Sequence, residues 1–352
     1  MGKQKNRWPK WKKPVLAIFG LLLFVLALGL MKEGAGGLSP FLRGHLEITN
    51  IADSMGFGWL MAYLVLSGSP AAAAGVTLLN ANALSTLQTF TMVAGSRLGA
   101  CSIVLLVGFI YALRGHKRWT ALTPGVLSMI LTGSIQLLAV PMGLMMLSRG
   151  WFHRLSLPAL ERLAGGINRG LEPLVGPLAT FLPGWALFAV GVGLAMFSFR
   201  LFDQVLPKFH LEKTGFDQIP RLIYRPGIMF LMGLAITLAT MSVSISVGIL
   251  VPLSTRGYIR QENIIPYILG ANISTMVDTL VAAALLGDPR AVAVVMTYAA
   301  CAALVSLPIV LLGYRPYERA VSRALAWITR ERRNFALFLV IIIVIPVMLI
   351  LL

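Results

Sequence analysis

Apolar residues run through this chain in long, nearly uninterrupted blocks separated by shorter polar stretches. Nine blocks stand at approximately 15–31, 55–80, 84–113, 121–148, 183–206, 226–253, 263–287, 290–313 and 335–352. Most are long enough for a helix to cross a hydrocarbon core of ~30 Å. None shows the short apolar–polar alternation of a membrane β-barrel. The pattern predicts an all-α polytopic membrane protein. The first block, about 17 residues, exceeds the 7–15 of a signal peptide, and no clean small-x-small cleavage site follows it. It is therefore expected to remain as a transmembrane helix. The polar, Pro/Gly-marked stretch 149–182 and the arginine-rich stretch 314–334 each suit an amphipathic helix at the membrane surface.

Basic residues give the expected orientation, because Lys and Arg collect in cytoplasmic loops. Lys3, Lys5, Arg7, Lys10, Lys12 and Lys13 place the N-terminal tail inside. Arg114, Lys117 and Arg118 do the same for the loop before the fourth block, and Lys208, Lys213, Arg221 and Arg225 for the loop before the sixth. Arg315, Arg319, Arg323, Arg330, Arg332 and Arg333 place the segment after the eighth block inside as well. The first block leaves the cytoplasm and the third returns to it, so the second and third together make an odd number of crossings. The second is then a re-entrant hairpin, and the same count makes the sixth re-entrant from the opposite side. Arg149, Arg154, Arg162 and Arg169 fall in the connection this topology places outside, where the charge rule weakens with loop length.

The expected organisation is a basic cytoplasmic tail (1–14), repeat 1 (15–148), an outer linker (149–182), repeat 2 in inverted topology (183–313), a basic amphipathic cytoplasmic segment (314–334) and a C-terminal extra helix (335–352). Within the repeats, LSGSPAAAAGVTLLNANAL faces TMSVSISVGILVPLSTRGY, and AGSRLGA faces LGANIST. Small residues let a re-entrant backbone pack closely against its neighbours. Irregular backbone at membrane depth is tolerated where it is buried or lines an aqueous site, and many secondary transporters build their sites this way.

Composition agrees. The chain is 57% hydrophobic and 12% charged, with a mean hydropathy of +0.82, against about 25% charged residues in an ordinary soluble domain. A net charge of +17 would suggest nucleic acid in a soluble protein. Here no basic stretch is interleaved with aromatics on a soluble domain, and no nucleic-acid partner is expected. Cys101 and Cys301 lie inside apolar blocks, and His45, His116, His153 and His210 are scattered without metal-ligand spacing. HExxH, GxSxG and phosphate-binding glycine loops are absent, which argues against an enzyme.

GANISTMVDTL at 270–280 resembles the GANIGTT-type signature of the sodium–phosphate cotransporter family, the type II symporters and their bacterial relatives. MSVSIS at 241–246 stands where that family carries QSSSATT, and SGSPAA at 67–72 and GSRLGA at 95–100 occupy the matching places of the first half. The resemblance spans roughly 55–310. It implies two inverted repeats with re-entrant hairpins, and phosphate and sodium sites lined by the QSSS elements. Carried over by position, Ser69, Ser242 and Ser244 keep hydroxyls in those elements, both glutamines are missing, and Arg97 replaces the first signature's asparagine.

Arg97 and Asp278 are the two ionisable side chains placed deep in apolar blocks, where charge is costly and by default marks function. As a site, Arg97 would hold a tetrahedral oxyanion through paired hydrogen bonds, and Asp278 would take a coupling cation or proton. The competing reading is a structural ion pair between the repeats. Asn272, Thr275 and Thr279 share a helical face, with Ser274 and Asp278 an i, i+4 pair beside it; interhelical glue is the plain alternative. Asn80, Asn82 and Gln88 read as turn and capping residues, Gln136 as packing, and Glu47, Asp53 and Glu262 as solvated interface carboxylates. The expected function is sodium-coupled symport of phosphate or a similar small anion across the plasma (inner) membrane, with no cofactor beyond the ion. The alternative is a transport-incompetent relative serving as a membrane scaffold or regulatory subunit.

Overall fold

The structure, a computed structural model, describes residues 12–44, 48–114, 118–152, 158–205, 225–255 and 259–351. Glu47, His116 and the basic residues Lys3, Lys5, Arg7, Lys10, Lys117, Arg154, Lys208, Lys213 and Arg221 fall outside them. Every regular element among the described residues is a helix: α1 (Lys12–Gly44), α2 (Ile51–Val65), α3 (Gly68–Asn80), α4 (Thr86–Leu113), α5 (Arg118–Ser148), α6 (Pro158–Phe181), α7 (Gly184–Val205), α8 (Pro226–Thr240), α9 (Val243–Gly248), α10 (Leu250–Thr255), α11 (Gln261–Ser274), α12 (Val277–Leu286), α13 (Pro289–Leu311), α14 (Tyr314–Arg330) and α15 (Arg332–Ile350).

Seven spans are long and apolar enough to cross a membrane: Lys13–Leu38, Thr86–Leu113, Trp119–Ser148, Gly184–Phe202, Gln261–Leu286, Pro289–Leu311 and Arg332–Ile350. Their outward faces suit lipid and nothing else. Leu113, Leu137, Leu304, Val340 and Ile343 are each more than half exposed, and apolar surface in such continuous bands is not left in water. The chain is an all-α protein embedded in a membrane.

The second and sixth apolar blocks are not continuous helices. Each breaks at a residue in the left-handed region, Leu66 (φ 51) between α2 and α3 and Met241 (φ 49) between α8 and α9. Helix α3 is buried from Gly68 to Leu79, with a run of four alanines, Ala71 to Ala74, that lets neighbouring helices close around it. The helix that follows the first break is thus enclosed by protein, while Leu66 at the break itself is 58% exposed.

Landmarks recur at a constant spacing of 175 residues. Ile51–Val65 is matched by Pro226–Thr240, Leu66 by Met241, the N-cap Ser67 by Ser242, and the first residue of α4, Thr86, by that of α11, Gln261. The packing follows the same interval. A methyl group on Gly58 would collide with the carbonyl of Met92, and one on Gly95 with that of Met55. In the other half, Gly233 meets the carbonyl of Tyr267 and Gly270 that of Phe230. Both pairs of helices, α2 with α4 and α8 with α11, approach to backbone contact through glycines, the common device where lipid removes any hydrophobic drive between helices.

Some details depart from the sequence reading. Helix α1 extends beyond the apolar block to Gly44, because Gly34 and Gly37 let it lie against the backbone of Gly184 at the start of α7. Asp53 is buried, not solvated. Its carboxylate accepts from the backbone N–H groups of Thr49 (2.9 Å) and Asn50 (3.0 Å), closing a capping box at the start of α2. The span Gln261–Leu286, the seventh apolar block, is interrupted at Thr275–Met276, between α11 and α12, although neither Gly nor Pro stands there. Gln88 does cap its helix, accepting from the Ser85 N–H at 2.9 Å, and Asn82 takes a left-handed turn conformation.

Candidate functional site

Helix α4 turns its glycine face, Gly95 and Gly99, onto α2. Arg97, between them in sequence, leaves the helix on another side and reaches the interruption between α11 and α12. Nη1 donates to Thr275 Oγ1 at 2.9 Å and Nη2 to Thr279 Oγ1 at 2.7 Å. Asp278 lies 3.6 Å away, Oδ1 to Nη2, with the two side chains only 4% and 1% exposed. At that distance the charges attract without a direct hydrogen bond, and Thr279 bridges them: its hydroxyl accepts from Arg97 and donates to Asp278 Oδ1 at 2.9 Å. Asp278 Oδ1 also accepts the backbone N–H of Thr279. The carboxylate therefore bonds to the first turn of α12, whose N–H groups and dipole favour an anion.

Two atoms of this cluster stay open. Arg97 Nε and Asp278 Oδ2 are buried and have no hydrogen-bond partner among the described residues. Such groups are rare in folded proteins and call for an explanation. Asp278 also stands in the wall of a cavity of about 320 Å³, otherwise formed by apolar groups that include Leu21 and Phe24 of α1, Phe199 and Phe202 of α7, and Met241 at the break before α9.

Around the pair runs a second layer of polar contacts. Asn272 and Thr132 share hydrogen bonds of 3.1 and 3.3 Å, and the Cys101 thiol donates both to Thr132 Oγ1 and to the carbonyl of Arg97. Gln136, read from sequence as packing, donates from Nε2 to the carbonyl of Ala94 and to Tyr298 Oη, each at 2.9 Å. It thereby ties α5 to α4 and α13. Its role was illegible because one glutamine in an apolar block carries no spacing signal.

The candidate residues separate into two groups. Arg97, Asn272, Thr275 and Asp278 converge on the junction of α4, α5, α11 and α12, and Thr279 joins them. Ser69, Ser242 and Ser274 stand apart. Ser69 is buried in α3, Ser242 caps α9 by accepting the N–H of Ile245 at 3.3 Å, Ser244 lies within α9, and Ser274 donates back to the carbonyl of Ala271 at 3.4 Å in its own helix. Among the described residues no hydrogen bond or ion pair links Ser69, Ser242 or Ser274 to Arg97. A separate buried cluster in the second half escaped the sequence reading: Thr237 donates to Ser246 Oγ at 2.6 Å, which lies 2.8 Å from Tyr267 Oη.

Chemically, the junction offers one cation, one anion and several hydroxyls in a space with almost no water access. No cluster of three or more metal-ligating side chains occurs among the described residues. No protein-family description, characterised protein or solved structure matches the chain.

Proposed function

We propose that this protein is a secondary active transporter of the plasma (inner) membrane that moves phosphate or a similar small anion by symport with sodium or a proton. The observation that carries this reading is the buried Arg97–Thr279–Asp278 arrangement at an interrupted helix, with one donor and one acceptor left open. A guanidinium held only by two hydroxyls and a 3.6 Å ion pair can exchange those partners for a bidentate oxyanion. A cation or proton on Asp278 Oδ2 weakens the carboxylate's hold on Arg97 and frees it for the anion. By linkage, the bound anion then favours the cation equally.

The architecture supports the same reading. The constant spacing of 175 residues, together with basic segments that all fall on the cytoplasmic side, fits two repeats of inverted topology. In this arrangement α2–α3 enters as a re-entrant hairpin from outside and α8–α10 from inside. Both hairpins and both following helices then meet at the membrane midplane, where discontinuous helices serve substrate and ion binding.

A second reading, a transport-incompetent scaffold or regulatory subunit, is favoured by the local bonding of Ser242 and Ser274 and by the missing glutamines. Radiolabelled phosphate uptake into proteoliposomes decides between them. Accumulation against a gradient under an imposed sodium or proton gradient supports transport. Its absence from folded, inserted protein moves the assignment to the scaffold.

A further inference from the structure

A groove of about 540 Å³ runs along the outside of the helix bundle between α4 and α15. Its walls are apolar, formed chiefly by Leu106 and Phe109 of α4 and by Phe335, Leu339 and Ile343 of α15. Leu106, Phe109 and Ile343 are 43%, 44% and 57% exposed, so the groove opens away from the protein rather than into it. One charged residue lines it, Arg332, at the first turn of α15.

Position along α15 fixes what this shape can hold. The helix is apolar from Phe335 onward, so Arg332 and Arg333 mark where it leaves the hydrocarbon. From Arg332 to Ile343 is about 16 Å at 1.5 Å per residue, close to half of a ~30 Å hydrocarbon core. The groove thus has the depth of one leaflet, with a guanidinium at its headgroup end. Trp119, whose ring meets Phe335 edge-on at 5.5 Å, sits at the same end, where indoles favour the membrane interface. The surrounding charge has one dominant sign: Arg330 and Arg333 stand near Arg332 against one acid, Glu331, and α14 exposes Arg315, Arg319 and Arg323. Among the described residues no carboxylate pairs with Arg332.

We propose that the groove between α4 and α15 is a binding site for one acidic phospholipid, its phosphate on Arg332 and an acyl chain along Phe335, Leu339 and Ile343. This site is independent of the Arg97 cluster and of any transport activity. A net negative headgroup is preferred over a zwitterionic one because the choline of the latter would face the arginines at the junction of α14 and α15. A basic residue near a membrane surface contributes roughly 1 kcal/mol with acidic lipid, a factor of about five in affinity.

The test is native mass spectrometry of the delipidated full chain titrated with phosphatidylglycerol and phosphatidylcholine of matched acyl chains. The expected result is one tightly retained lipid with about fivefold preference for phosphatidylglycerol. R332Q should reduce that preference to near parity, R332K should keep it, and R323Q, away from the groove, should leave it unchanged. A336W, which fills the groove, should remove the retained lipid of either kind. The proposal is overturned if R323Q and R332Q lose the preference equally, since the attraction is then diffuse surface charge. It fails too if R332Q has no effect, or if millimolar inorganic phosphate displaces phosphatidylglycerol. Conversion of a dimer to a monomer by A336W with lipid retention unchanged would instead assign the groove to a second copy of the chain.

Discussion

Neutralising Arg97 and Asp278 singly and together separates a transport site from a structural pair. In D278N the guanidinium stays buried with two threonine hydroxyls and no counter-charge. In R97Q the carboxylate keeps the N–H and hydroxyl of Thr279 but loses its cation. At an effective dielectric of about 20, unit charges ~4 Å apart attract by about 4 kcal/mol. Removing one partner of a buried pair generally costs about 3–5 kcal/mol, mostly as the penalty of the charge left behind. With both side chains at most 4% exposed, little solvent screening reduces that figure. Each single variant should therefore unfold at visibly lower temperature in detergent, and R97Q/D278N should recover most of the loss. The measurement is a double-mutant cycle by tryptophan fluorescence, paired with phosphate binding on the same samples. A double variant that folds but binds no anion identifies Arg97 as a ligand, and one that folds and transports identifies a structural pair. If either single change costs less than about 1 kcal/mol, the charges are solvated in the working protein and the reasoning fails.

Alanine at Gly58 and at Gly233 should destabilise to a similar degree, by about 1–3 kcal/mol each, because both methyls meet backbone carbonyls at equivalent places; Gly36→Ala, with open space around it, serves as the neutral control in the same thermal assay. Gln136→Leu should cost about 1–3 kcal/mol, since the carbonyl of Ala94 and the hydroxyl of Tyr298 lose a buried donor, and a wild-type melting temperature would contradict this. Single cysteines at positions 116 and 213 should resist impermeant thiol reagents in intact cells while one at 172 reacts; labelling of 116 and 172 from the same side would rule out the inverted arrangement.

The helices that cross the membrane were legible because lipid rewards length and apolarity, and both are local properties of sequence. The site was half legible. Arg97 and Asp278 stand out in any apolar block, whatever they contact. Their distance across 181 positions of chain, and the bridging by Thr279, depend on how α4 meets α11 and α12. The interruption at Thr275–Met276 has no sequence mark, since Ile273 to Val277 are residues that helices ordinarily accept. In α4, the partner at the 175-residue spacing, the corresponding backbone is continuous. The difference coincides with the guanidinium that caps Thr275 and Thr279. Asp53 was misread for a related reason: an acid at N3 of a helix looks like any surface carboxylate until Asn50 is seen to face it.

The ion pair also imposes an order on biogenesis. Arg97 enters the bilayer on α4 while Thr275 and Thr279, 178 and 182 residues downstream, have not been made. At about 5–20 residues per second, that wait lasts roughly 10–40 s. An arginine at the centre of an inserting helix costs about 2.5–3.5 kcal/mol, and the apolar residues around it in α4 must carry α4 through that interval. A ribosome stalled between α5 and α11 should thus leave a nascent chain whose α4 is the segment most prone to slip out of the membrane, and whose capture by insertion factors ends when α12 arrives.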